Sequence, residues 1–327
     1  MTGFALDMSD IDAAAARLAG HVRRTPLLSS PFLDQIAGRR VLVKPECLQH
    51  TGSFKARGAW SAISALPADV RTRGVIAFSS GNHAQGVAWA AAAHGAPSVI
   101  IMPSDAPALK IANTRALGAE VVLYDRETED RDVIGDTLAS ERGLSLIKPF
   151  DNPVVIAGQA SVGLEIAEQA ADLGVDSAEV LVCCGGGGLT SGVAMALADR
   201  APGLTTHPVE PAGFDDVARS LSTGAIQRNA RLSGSICDAV VTPQPGELTF
   251  PIMAALCGPG ITVSDDQALA AMAQAFLRLK LVAEPGGAVA LAAALYRGDV
   301  LAGDTVIAVI SGGNVDPAMF SRALATL

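Results

Sequence analysis

The chain has 327 residues, half of them hydrophobic, 17% charged and only 4% aromatic, with a formal net charge of −9. That composition excludes a disordered or fibrous chain, and the acidic balance excludes a nucleic-acid surface, which needs clustered Lys and Arg. Apolar runs are broken before membrane-spanning length, no secretory leader is expected, and five cysteines, including the adjacent pair Cys183 and Cys184, form neither a disulfide framework nor a zinc spacing. A cytoplasmic protein is expected, with no nucleic acid and no membrane among its partners.

In chain order, the spacing predicts a helix over 9–18, capped by Ser9 or Asp10, with Ile11, Ala14, Ala15 and Leu18 on one face. Pro26 prevents its continuation, and a strand is expected over 41–44. Strand-like runs at 74–78, 98–102 and 120–124 alternate with helical stretches at 84–93, 107–117 and 131–141. The alternation returns with a strand at 179–183, a helix at 190–197 and a strand at 305–310. Such alternation predicts βαβ units and mostly parallel sheets, hence an α/β fold. No linker separates two domains in series, so any two domains are expected to be interleaved.

Strands that run into glycine-rich loops mark where open parallel sheets bind ligands. Cys184-Gly-Gly-Gly-Gly188 bares backbone N–H groups at a helix start, which suits a phosphate. No Gly-Lys-Ser/Thr follows, which argues against a nucleoside triphosphate. Thr51-Gly-Ser-Phe-Lys-Ala-Arg-Gly58 sets Lys55 just inside a helix start, where the dipole lowers its pKa and favours Schiff-base and proton-transfer chemistry. Ser79-Ser-Gly-Asn-His83 can hold a carboxylate on amides and hydroxyls, with His83 open to a purely structural role. Ser311-Gly-Gly-Asn314 can set a serine hydroxyl against a heteroaromatic nitrogen. Glu210 and Asp216 flank a turn able to hold a hard divalent cation, although acidic turns are usually only solvated.

Together with Arg24-Thr-Pro-Leu27, Lys44-Pro-Glu46, Val155-Ile-Ala-Gly-Gln159 and Glu284-Pro-Gly-Gly287, these stretches resemble the fold-type II pyridoxal-phosphate enzymes of the threonine dehydratase and serine racemase family. The resemblance implies two open, mostly parallel three-layer sheet domains with the cofactor in the cleft between them. The large domain would comprise 1–73 plus 152–327, and a small domain, 74–151, would be inserted in it.

The resemblance further implies pyridoxal phosphate bound through Lys55, its phosphate cradled by Gly185, Gly186, Gly187, Gly188 and Leu189. Phe54, Asn82 and Glu284 would contact the cofactor, and Ser311 would face its pyridine nitrogen. Ser79, Ser80, Gly81, Asn82 and His83 would receive the substrate carboxylate. Lys55 and Ser80 would be the catalytic pair, on opposite faces. Arg131 and Thr242 fall where racemase-like members carry groups able to meet a second carboxylate, although Arg131 also reads as a surface ion-pair residue. Glu210, Asp216 and the Phe214 carbonyl match the Mg²⁺ or Ca²⁺ positions of metal-dependent members. The implied activity is an ammonia-lyase converting L-threonine or L-serine to 2-oxobutanoate or pyruvate, with 3-hydroxyaspartate dehydration or serine racemisation as alternatives and a non-catalytic cofactor binder as a remote one. A homodimer or larger homo-oligomer is implied, without an isoleucine-feedback domain.

Overall fold

The computed structural model describes residues 3–327 apart from Ser80, Pro107 and Arg126, and leaves out the side chain of Leu109. Its first helix, Met8–Leu18, begins earlier than expected. Asp7, rather than Ser9 or Asp10, is the cap: its carboxylate accepts from the amides of Ser9 and Asp10, while the Asp10 carboxylate takes the Asp7 amide. Ile11, Ala14 and Leu18 form the buried stripe.

Among the described residues ten strands follow in chain order: β1 (Leu28–Ser29), β2 (Arg40–Pro45), β3 (Val75–Phe78), β4 (Ser98–Pro103), β5 (Glu120–Tyr124), β6 (Ser145–Leu146), β7 (Ala178–Cys183), β8 (Leu204–Pro211), β9 (Ile261–Val263) and β10 (Thr305–Ile310). They form a six-stranded sheet, ordered β1-β2-β10-β7-β8-β9, and a four-stranded sheet, ordered β5-β4-β3-β6. Every pairing is parallel except β1 with β2.

Parallel strands covered on both faces bury every side chain while alternating between two cores. Val41, Val43, Leu181, Cys183, Val306 and Ala308 face one core of the larger sheet, shared with the helices Asp265–Gln274 and Pro285–Tyr296. Leu42, Val180, Val182, Ile307 and Val309 face the other, beneath the helices Pro153–Asp172 and Gly188–Arg200. The smaller sheet splits likewise, Val75, Ala77 and Ile100 to one side and Ile76, Val99 and Ile101 to the other. Both sheets are therefore the middle of three layers.

The helix Lys55–Ser64 packs on both halves of the structure. Ala59, Trp60 and Ile63 enter the core of the smaller sheet. On the other side, Gly58 lies so close to Gln159 and Val155 that a Cβ would meet the Gln159 amide at 2.2 Å. Arg57, on the same helix, is fully buried and bonds Glu46 through Nε at 2.7 Å and Glu165 through Nη1 at 2.6 Å. Lys44 reaches the same Glu165 at 2.6 Å. Two cations and two carboxylates thus neutralise one another between β2, the lysine helix and the helix Pro153–Asp172. The helix Ala108–Ala116 covers most of the stretch expected at 107–117; its expected first residue, Pro107, lies outside the described residues.

Candidate active site

Strand order reverses between β7 and β10 in one sheet and between β3 and β6 in the other. Crevices form at the C-terminal strand ends of such switch points. Both sets of ends converge on one cavity of about 300 Å³. Every expected cofactor and substrate residue among those described lines it: Phe54, Lys55, Ser79, Gly81, Asn82, His83, Arg131, Gly185, Gly186, Gly187, Gly188, Leu189, Glu284 and Ser311. Ser80 lies outside the described residues.

Lys55 is the first residue of its helix, and its Nζ donates to the Pro149 carbonyl oxygen at 2.7 Å, 5.1 Å from the centre of the Phe54 ring. Desolvation pushes its pKa down to about 8, against the pull of the Glu284 charge. A substantial fraction of this amine is neutral at physiological pH.

Asn82 opens the helix Asn82–Ala93 and ties three loops together. Its Nδ2 donates to Glu284 Oε1 at 2.5 Å, and its Oδ1 accepts from Asn314, whose Nδ2 also reaches the Thr51 carbonyl at 2.7 Å. Burial raises the Glu284 pKa to about 7, opposed first by the Asn82 hydrogen bond. His83 is buried, with Nε2 2.8 Å from the Ile147 carbonyl oxygen, which assigns that nitrogen as the N–H donor. Burial, and then the Lys55 charge, hold its pKa near 3, so the imidazole is neutral. It pins the end of β6 to the wall of the cavity and contributes no charge.

The glycine run connects β7 to the helix Gly188–Arg200. Gly187 is the helix cap at φ +90°, a left-handed conformation that side chains resist. A Cβ there would lie 2.6 Å from Met253 Cε and 2.8 Å from Thr249 Oγ1, and one on Gly186 would lie 2.5 Å from the Phe150 ring. At this cradle the Thr242 hydroxyl lines the cavity, buried and without a partner among the described residues. An unpartnered buried donor beside bare amides at a helix N-terminus fits an anionic group such as a phosphate. Lys55, on the opposite wall, fits a carbonyl carbon. The residues present therefore suit a phosphorylated aldehyde.

Sequence reasoning assigned no role to Pro149 or Lys110, which line the cavity; Phe150, whose position resembles that of the dehydratases, and Asp238, expected near the site, line it as well. Pro149 contributes only a backbone carbonyl, which no side-chain pattern signals. Lys110 stands on the helix Ala108–Ala116 with its Nζ 3.6 Å from Asp238 Oδ2, a pair from distant parts of the chain. Arg131 is the first residue of the helix Arg131–Arg142 and pairs with its neighbour Asp132 at 3.5 Å, so it serves both as a surface ion-pair residue and as part of the cavity wall.

The expected metal residues stand apart, at the end of β8. Glu210 accepts from the amides of Val217 and Ala218 at 2.9 and 2.8 Å, and Asp216 Oδ1 accepts from Asn229 at 2.6 Å. Burial and mutual repulsion raise Glu210 well above the usual carboxylate range, and burial raises Asp216 to about 6. Among the described residues no three His, Cys, Asp or Glu side chains gather as a metal cluster. The buried, unpartnered Oδ2 of Asp216 is the observation that favours a cation here, with the Phe214 carbonyl as a third donor.

Comparison with known proteins agrees with the class that this fold and cavity define. Residues 18–312 match the family model described as pyridoxal-phosphate dependent enzyme. The chain belongs to that family, in its fold-type II branch, and pyridoxal phosphate is its cofactor. An L-threo-3-hydroxyaspartate ammonia-lyase from Pseudomonas sp is 42% identical over 96% of this chain and 97% of its own length. A threonine deaminase from T.th. superposes with a TM-score of 0.89 at 45% identity, covering 95% of this chain and 99% of that one. Maize serine racemase superposes with a TM-score of 0.90 at 35% identity, over 99% and 98% of the two chains. No helix among the described residues is long and apolar enough to cross a membrane.

Proposed function

We propose that the protein is an ammonia-lyase that removes water and then ammonia from a small β-hydroxy amino acid, leaving a 2-oxo acid. The observation that carries this reading is the placement of Lys55 Nζ in one cavity with the bare glycine loop and with Ser79, Gly81, Asn82 and His83. Pyridoxal phosphate, when bound, supplies a carbonyl for amine condensation and an electron sink beside the substrate Cα. Lys55 would hold the cofactor, and its Nζ would take the α-proton; its depressed pKa suits a proton acceptor near neutrality. Gly185 to Gly188 and Leu189 would hold the phosphate, Phe54, Asn82 and Glu284 would contact the cofactor, and residues 79–83 would orient the substrate carboxylate. Ser311, on the cavity wall, would offer the ring nitrogen a hydroxyl, which cannot keep that nitrogen protonated as a carboxylate would. Charge at Cα is then poorly stored, which favours prompt loss of the β-hydroxyl. Ser80 stands as the acid for the opposite face and a route to side racemisation.

L-Threonine and L-serine are the expected monocarboxylic substrates. A second reading, 3-hydroxyaspartate, is favoured by Lys110 and Arg131 on the cavity wall and by the activity named for the Pseudomonas relative. The reading extends to a homodimer or larger assembly, to a small domain over 74–151 inserted in a large one, and to Mg²⁺ or Ca²⁺ at Glu210, Phe214 and Asp216. Release of 2-oxo acid and ammonia by the holoenzyme from L-threonine, L-serine and the 3-hydroxyaspartates tests the activity; no release from any of them overturns it.

A further inference from the structure

We propose that Lys110 receives a second carboxylate of the substrate, giving up Asp238 to do so, and thereby selects 3-hydroxy dicarboxylic over monocarboxylic amino acids. The proposal rests on the ammonia-lyase reading and assigns its specificity to a residue on the smaller-sheet side.

Lys110 comes from the helix that follows β4, and Asp238 from the short turn Asp238–Val240, which packs with the helices of the larger sheet. Their 3.6 Å separation spans the cavity between the two halves of the structure. The two partners are unequally solvated: the Lys110 side chain is 25% exposed, the Asp238 side chain 69%. A lysine whose side chain is mostly covered has less water to answer its charge and gains more from an anion beside it, whereas a largely hydrated carboxylate loses little when released to water. The pair is thus built to exchange its anion while keeping its cation.

The remaining charges sort themselves around this pair. Lys55 is committed to the cofactor, and the 79–83 turn to the α-carboxylate. Glu284 is bonded to Asn82. Arg131 lies farther out, with 55% of its side chain exposed and Asp132 alongside. Lys110 is therefore the most enclosed cation on the wall with no role in the common chemistry. A methyl or hydrogen on the substrate Cβ would face this ammonium without compensating it. A carboxylate there would meet it as a charge-assisted hydrogen-bond acceptor.

The test compares wild-type holoenzyme with Lys110→Met, Lys110→Arg and Asp238→Asn. The first readout is the ratio of kcat/KM for L-threo-3-hydroxyaspartate to that for L-serine, which cancels any general loss of activity. That ratio is expected to fall about ten- to hundredfold in Lys110→Met, the range for losing a hydrogen bond between charged groups, and to recover in large part in Lys110→Arg. In Asp238→Asn, which removes the competing anion, the KM for 3-hydroxyaspartate should fall. The second readout needs no turnover: L-aspartate, which lacks the leaving group, is titrated against L-alanine by the change in cofactor absorbance. Lys110→Met should weaken L-aspartate alone. An unchanged ratio with unchanged L-aspartate binding overturns the proposal, as does an equal loss for both substrates. If the wild type binds cofactor but turns over neither substrate, the ammonia-lyase reading fails, and the L-aspartate titration still decides the role of Lys110.

Discussion

The Lys55 ammonium donates to the carbonyl oxygen of Pro149 across 2.7 Å, so a residue opening one helix is held by the segment that leads from β6 into the helix Pro153–Asp172. The carbonyl fixes where the amine points before any cofactor arrives. Replacing Lys55 with Ala is expected to leave a folded, colourless protein without the visible, borohydride-sensitive absorbance of a lysine-bound cofactor. Loss of the proton acceptor alone should lower turnover by about 10²–10⁴-fold. A spectrum and a 2-oxo acid assay check both.

The depressed pKa of Lys55 gives a pH prediction for cofactor capture by the apoprotein. Condensation needs the neutral amine, and a group with pKa about 8 is protonated below that value. The capture rate should rise about tenfold for each pH unit below 8 and level off above it. A stopped-flow absorbance series across that range measures the profile; a rise that continues to pH 10 would mean that the cavity does not desolvate the amine.

The glycine cradle tolerates little added bulk. Gly187→Ala combines a left-handed backbone with contacts at 2.6 Å to Met253 and 2.8 Å to Thr249. Overpacking of this kind costs about 1–3 kcal/mol. Cofactor affinity is expected to fall by at least about tenfold, from the distorted amides alone. Equilibrium titration of the apoprotein with pyridoxal phosphate gives the answer.

Arg57 lies between two carboxylates, Glu46 and Glu165, with no exposed surface of its own. Truncating it to Leu strands buried negative charge, which costs about 3–5 kcal/mol. Urea denaturation of the variant should show a midpoint well below that of the wild type. Exchanging Arg57 and Glu46 together for apolar residues should recover part of the loss.

Divalent cation at Asp216 predicts a stability response. Mg²⁺ or Ca²⁺ in large excess should raise the melting temperature, because anything that binds only the folded state stabilises it by mass action. Chelator should reverse the shift. Asp216→Asn should abolish it while leaving cofactor absorbance in place, and a melting temperature indifferent to either ion would remove the site.

The alternation of apolar runs with Ala-rich stretches made the parallel sheets legible, because strands buried on both faces keep an unbroken apolar signature. Glycine loops were legible too, since few other reasons place four glycines after a strand. The cap of the first helix fell at Asp7 instead, where a reciprocal bond with Asp10 outcompetes Ser9. The helix Pro153–Asp172 carried no stripe to read, being buried on most sides from Val155 to Ile166. Lys44 and Arg57 lie over a hundred positions before Glu165, so their pairing depends on tertiary folding alone. Lys110 belongs to no motif; only the approach of its helix to Asp238 gives it a place in the site.

Five consecutive residues, 147–151, join otherwise separate parts of the cavity. The Ile147 amide extends the β3–β6 pairing and its carbonyl accepts from His83, the Pro149 carbonyl holds Lys55, the Phe150 ring covers Gly186 while its Cβ and backbone lie against Gly188, and Asp151 accepts from the Leu248 amide at 2.8 Å. The strap thus carries both the acceptor of the Lys55 amine and the cover of the glycine loop, so any displacement of it would disturb the two together. A substitution that loosens the strap is therefore expected to misplace the lysine amine and to weaken coenzyme retention at once.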